Sequence, residues 1–174
     1  DGLNGISLER PESQRDNSFW NKITLEFLYS KNQARDLWLP VLMRYENYYN
    51  HYLYLQGWSY QGAALGSPMM TTRMNARTDL SFANHDFFIN NRIIAFNLGC
   101  EGSIKDFQYL LRTTWSRNYG TYYTAKMVEQ SGLMANPGAY GFFGMQDQVS
   151  VCLEVNKELQ KGLRIGCTTA VDSG

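Results

Sequence analysis

The chain lacks the long apolar run that a membrane-crossing helix requires. Nowhere do roughly 18 such residues follow one another, so a helical membrane protein is excluded. Charge is scarce as well, at 18% of 174 residues with a net of zero. No stripe of lysine and arginine exists to neutralise phosphates, which excludes nucleic acid as a partner. Three cysteines, Cys100, Cys152 and Cys167, lack the spacing of metal ligands, and no metal or other cofactor is expected. Catalytic signatures are equally thin. There is no Gly-x-Ser-x-Gly elbow, and His51 and His85 supply a Ser-His-Asp set only on paper, with adjacent His85 and Asp86 poorly placed for a triad. A protein that is not an enzyme is expected. The chain opens at Asp1 without a charged-then-apolar leader, so a secretory signal, if there is one, lies outside this sequence.

What the chain does have is aromatic residues, 14% of it with 12 tyrosines, and strict alternation of apolar with polar residues. Val149, Val151, Leu153 and Val155 alternate with Ser150, Glu154 and Asn156; across a short turn, Leu163, Ile165 and Val171 alternate with Arg164, Thr168 and Asp172. A tip at Glu158, Leu159 and Gln160 pairs Val155 with Leu163 and Leu153 with Ile165. That register sets Cys152 among the polar residues and Cys167 among the apolar ones, so the two are not expected to form a disulfide. Ile23, Leu25, Phe27 and Tyr29 oppose Lys22, Thr24, Glu26 and Ser30 in another clean strand, and Gly5 to Glu9 is a weaker candidate ahead of a polar turn from Arg10 to Ser18.

Asn90 to Arg117 reads as a hairpin. Ile94, Phe96, Leu98 and Cys100 share one face with Arg92, opposite Asn91, Asn97 and Gly99; Phe107, Tyr109, Leu111 and Trp115 oppose Gln108, Arg112, Thr114 and Ser116. A turn at Gly102-Ser103-Ile104-Lys105 pairs Leu98 with Tyr109, Phe96 with Leu111 and Arg92 with Trp115, the last a cation over an indole. Phe107, Leu110, Leu111, Thr114 and Trp115 also fit a helical period, but Thr113, Thr114 and the aromatics favour the strand.

Six strands follow, joined alternately by short turns and by two long connections, 31–89 and 118–147. That alternation is the pattern of a transmembrane β-barrel of the outer membrane, with apolar side chains toward lipid, short turns in the periplasm and long loops outside. The expected fold is thus all-β, a partial antiparallel transmembrane barrel. Glu26, Asn97, Gln108, Arg112, Thr114, Glu154 and Arg164 are expected to face its lumen. Closed barrels begin near eight strands, so the chain is expected to be a fragment with further strands on both sides.

The longer connection holds Tyr48, Tyr49, Tyr52, Tyr54, Trp58 and Tyr60, and Gly66-Ser67-Pro68 marks a turn after them. Aromatic faces stack on the apolar faces of sugar rings while Asn, Gln and Tyr groups bond hydroxyls, so these residues are candidates for glycan contact. The competing reading is that such dense aromatics simply pack the loop. Arg73 and Arg77 are candidates for acidic sugars, or equally members of a solvated structural network.

Several motifs bear a likeness to a known family. The stretch from Tyr45-Glu46-Asn47 through Gly57-Trp58-Ser59-Tyr60-Gln61-Gly62, the Gly66-Ser67-Pro68 turn, Asn91-Arg92, Ser116-Arg117-Asn118-Tyr119-Gly120-Thr121-Tyr122 and the Lys161-Gly162-Leu163-Arg164 hairpin together resemble the capsule assembly proteins of the Wzi type, in their Bacteroidetes branch. The likeness runs from about Lys22 onward. It implies a large Gram-negative outer-membrane barrel, bounded by membrane lipid and lipopolysaccharide, whose loops help retain capsular or other surface polysaccharide. Asp172-Ser173-Gly174 is similar to an element before that family's final strand. Departures are the Leu37–Met43 segment, where Gly-rich polar residues are expected, and the cysteines. The alternatives are a passive or substrate-specific porin, which shares the strands, and a soluble carbohydrate-binding β-sandwich, whose apolar faces would pack on each other.

Overall fold

The computed structural model describes residues 1–15, 18–33, 47–125, 140–160 and 162–174; the Leu37–Met43 segment lies outside them. The described chain is all-β. Its strands are β1 (Gly2–Glu9), β2 (Lys22–Tyr29), β3 (Ser59–Tyr60), β4 (Ala63–Ala64), β5 (Thr71–Thr72), β6 (Phe88–Asn90), β7 (Ile93–Ile104), β8 (Phe107–Asn118), β9 (Gln146–Gln160) and β10 (Leu163–Ser173), with short 3-10 turns at Glu12–Gln14 and Tyr122–Thr124. Six strands form one sheet in the order β1-β2-β7-β8-β9-β10, while β3-β4 and β5-β6 make two small sheets inside the longer connection. No helix among the described residues is long and apolar enough to cross a membrane. The weak candidate at Gly5 to Glu9 is a full strand that starts three residues earlier, at Gly2.

The chain divides into two compact units. A sheet unit holds Leu3–Leu28, Ala95–Ser116 and Asp147–Gly174, and a loop unit holds Asp1–Gly2, Tyr29–Ile94 and Arg117–Gln146. Alternation produces the faces of the sheet, and cross-strand contacts tie them together. Phe27 stacks on Phe96 at 4.7 Å between ring centroids, and Phe96 on Trp115 at 5.8 Å. On the other face Thr114 Oγ1 donates to Asn97 Oδ1 at 2.8 Å, Arg112 pairs with Glu154, and Lys22 pairs with Glu9 at 3.9 Å.

Both hairpin registers differ from the sequence expectation. Phe96 meets Trp115 instead of Leu111, and Arg92 lies across from Tyr119, whose N–H bonds its carbonyl at 2.9 Å; the Arg92 guanidinium covers Tyr122. The tip is Lys105-Asp106, with Lys105 at φ 56°. Gly102 is not part of the turn. Ser103 N–H bonds Ser18 O at 2.9 Å and Asn21 N–H bonds Glu101 O at 2.7 Å, so the Phe19 carbonyl presses on Gly102 where any Cβ would collide. In the last hairpin Val155 pairs with Cys167 and Leu153 with Thr169, because strand pairing continues past the expected tip to Gln160 and Leu163. Each shift is four residues, an even number, so every side chain keeps its face.

Burial separates the units sharply. Met70, Ala83, Phe87, Phe88, Ile89, Ile93, Tyr122 and Phe143 are buried in the loop unit, whereas among the described residues Ala95 is the one buried apolar side chain of the sheet unit. On β9 the usual alternation is inverted: Val149, Val151 and Leu153 are exposed, while Ser150, Cys152 and Glu154 are half-buried. Phe96, Leu98, Leu153 and Ile165 lie on this one apolar face, exposed by 53%, 39%, 40% and 59%.

Candidate functional site

The candidate glycan residues fall into two groups. Tyr52, Tyr54, Trp58 and Tyr60 are exposed by 83%, 71%, 66% and 65%, whereas Tyr48 and Tyr49 are half-buried and serve the loop unit. Tyr49 packs at a tilt against Phe88, 5.2 Å between ring centroids, and its hydroxyl accepts the Ser67 N–H; Tyr48 donates its N–H to Gln33 Oε1 and accepts from Asn91 Nδ2 through its carbonyl. The exposed rings sit on a defined backbone. Gly57 N–H bonds Tyr54 O and Trp58 N–H bonds Tyr49 O, both at 2.7 Å, and Leu65 N–H closes on Trp58 O at 3.0 Å around the β3-β4 hairpin. Gly57 holds φ 55° with its α-carbon against the Tyr49 carbonyl, leaving no space for a side chain. His51 organises the tip: its Nδ1 accepts the N–H groups of Leu53 and Tyr54 at 3.1 and 3.3 Å, and its ring stacks on Tyr52 at 4.9 Å.

Beneath the aromatics lies an amide and carboxylate network that satisfies the loop backbone. Asn50 Oδ1 accepts the N–H groups of Phe87 and Phe88 at 3.0 and 2.9 Å, and its Nδ2 donates to Phe88 O. Asn47 Nδ2 donates to Asp86 Oδ1 at 3.0 Å, Thr121 Oγ1 donates to Asp86 Oδ2 at 3.2 Å, and Asn90 Nδ2 donates to Asn118 Oδ1 at 2.8 Å. Burial pushes the Asp86 carboxyl above the ordinary aspartate range, opposed first by His85 and then by the bonds from Asn47 and Thr121. His85 Nε2 lies 3.5 Å from Asp86 Oδ1. The imidazole makes T-shaped contacts with Tyr123 and Tyr140, at 4.8 and 5.7 Å between centroids.

The two arginines are engaged. Arg73 donates through Nη2 to the carbonyls of Asn84 and Asp86 and lies over the Phe82 ring at 5.6 Å. Arg77 forks onto Asp79 with bonds of 3.1 and 2.9 Å, which holds that carboxyl below its usual range.

The residues expected toward a lumen share the polar face. Asn97 with Thr114, and Arg112 with Glu154, are in direct contact; Arg164 pairs in register with Glu158; Glu26 lies against Gly5, whose Cβ would meet its Cγ at 3.4 Å. Gln108 lines a polar cleft of about 500 Å³ with Arg15, Ser103, Lys105 and Glu158. Cys152 is paired with Ala170 on this face, Cys167 with Val155 on the other, and all three thiols are free. Among the described residues, no three His, Cys, Asp or Glu side chains gather as a metal site would require. Sequence reasoning missed the asparagine network, whose members lie far apart along the chain; the density of Asn from 47 to 50 and from 90 to 91 was its one visible trace. No known protein family, curated protein or solved structure matches this chain.

Proposed function

We propose that the chain is part of an outer-membrane β-barrel that helps assemble or attach surface polysaccharide, by binding and positioning and without breaking bonds. The observation that carries this is the uncovered apolar face of the sheet, where Phe96, Leu98, Leu153 and Ile165 are exposed, with β9 exposing Val149 and Val151 while Ser150, Cys152 and Glu154 are half-buried. In water such a face would be covered by a second layer; against lipid it needs none.

Aromatics bound that face at both ends. Phe27, Phe96 and Trp115 cluster at one level, and Phe19 stacks with Tyr109 at 6.0 Å at the other, beside Phe107 under Lys157. Phe107 and Trp115 are about 27 Å apart along β8, or about 20 Å along the membrane normal for a strand tilted by ~40°. Girdles flank an apolar band of about 25 Å in such barrels. Glycan contact is supported by the four exposed rings of the longer connection.

The test uses the whole protein in its own cells. It is expected in the outer-membrane fraction after a high-salt wash, and deleting it is expected to release surface polysaccharide into the medium. Recovery in the soluble fraction would overturn the membrane reading; unchanged retention of polysaccharide would overturn the rest. A channel is the second reading, favoured by the ion-paired polar face of Arg112-Glu154 and Glu9-Lys22. Steady single-channel conductance in planar bilayers would select it.

A further inference from the structure

The exposed rings lie in a stretch without charge. From Asn47 to Thr72 there is no Asp, Glu, Lys or Arg, in a chain where 18% of residues carry one of these. On the C-terminal side the first two cations along the chain are committed elsewhere, Arg73 to two backbone carbonyls and Arg77 to Asp79. Polar groups beside the rings are neutral: Gln61 Nε2 reaches the Tyr60 hydroxyl at 3.5 Å, and Ser59 Oγ donates to Gln56 O at 2.7 Å.

From this we infer that the aromatic hairpin is a subsite for an uncharged pyranose chain, one without uronate, phosphate or sulfate groups. The inference rests on the reading that this loop meets polysaccharide. The physics is selective. The face of an aromatic ring carries negative potential, which attracts the C–H-rich face of a neutral sugar and repels a carboxylate. An anionic sugar would leave its charge partly desolvated, with no lysine or arginine within the stretch to receive it. The backbone bonds around Gly57 and Trp58 fix the main chain that carries the rings before a ligand arrives, and His51 stacks on Tyr52, so less ordering remains to be done on binding.

Isothermal titration of the full-length protein in detergent tests this with neutral glucan and mannan oligosaccharides against oligogalacturonates of equal length. Neutral chains are expected to bind at least about tenfold more tightly, as one stacked ring contributes, and equally well at low and high salt. Trp58→Ala with Tyr60→Ala is expected to abolish that binding, and Trp58→Phe to restore most of it when Tyr60 is kept, which separates loss of stacking from loss of fold. Tighter binding of the uronates, weakening with salt, would overturn the inference while leaving the glycan reading intact. Failure of both classes to bind, or binding unchanged in the double variant, would remove the glycan reading itself. Protection of Trp58 by phospholipid vesicles alone would assign the rings to a membrane surface and overturn both.

Discussion

Asn50 illustrates what single side chains contribute to the loop unit. Its carboxamide takes two adjacent N–H groups and returns one bond to Phe88 O, which is the pairing a neighbouring strand would provide. Asn50→Ala is expected to leave those groups without partners, at a cost of about 2–4 kcal/mol, read as faster proteolysis of the loop unit in native buffer. Asp86 adds a pH dependence. Its folded carboxyl titrates above the unfolded value because burial disfavours the charge, so between those two values the unfolded chain holds fewer protons and stability falls as pH rises. Acidification through that window is expected to protect the loop unit, and Asp86→Asn to flatten the profile; His85 and Arg73, which face the same carboxyl, set how far up the window reaches. In the sequence these asparagines read as hydroxyl-binding groups for sugar. Their partners across the loop unit lie 28 to 44 residues away, a distance no local pattern reveals.

At the scale of elements, period two located every strand of the large sheet but neither tip. A turn was expected wherever small polar residues clustered, and Gly102-Ser103 met that description. Gly102 is there for a different reason, the approach of the Phe19 carbonyl. Gly102→Val is expected to destabilise the sheet unit by about 1–3 kcal/mol through overpacking, visible as a lower unfolding midpoint. Faces survived the misplacement because both hairpins moved by an even number of residues. The polar residues assigned to one side therefore still meet there, while Leu98-Tyr109 and Arg92-Trp115 do not pair. Small strands such as β3 and β5 are two residues long and leave no period to read.

For the whole molecule, the decisive quantity is which medium touches the apolar side of the sheet. Leu153→Arg puts a guanidinium on that side, whereas Thr168→Arg puts one opposite Glu154 on the polar side. In liposomes the first is expected to cost about 2–4 kcal/mol and the second much less, measured by urea titration of the lipid-reconstituted protein. Equal costs would argue for water on both sides. Fold class and face assignment were legible because alternation is local; of the candidate glycan residues, Trp58 and Tyr60 are exposed while Tyr49 and Arg73 are occupied with the fold, a difference that composition does not reveal.

Two native thiols back to back on one ribbon, at Cys152 and Cys167, give chemists a reporter that requires no engineering. With the protein alone Cys167 is the more open of the two, so a sulfonated maleimide dissolved in water should alkylate it first. Embedding the same ribbon in phospholipid reverses that preference, since the anionic reagent is shut out of hydrocarbon and Cys152 becomes the faster reactor. The order in which two sulfur atoms acquire a label thus becomes a readout of the solvent each one meets.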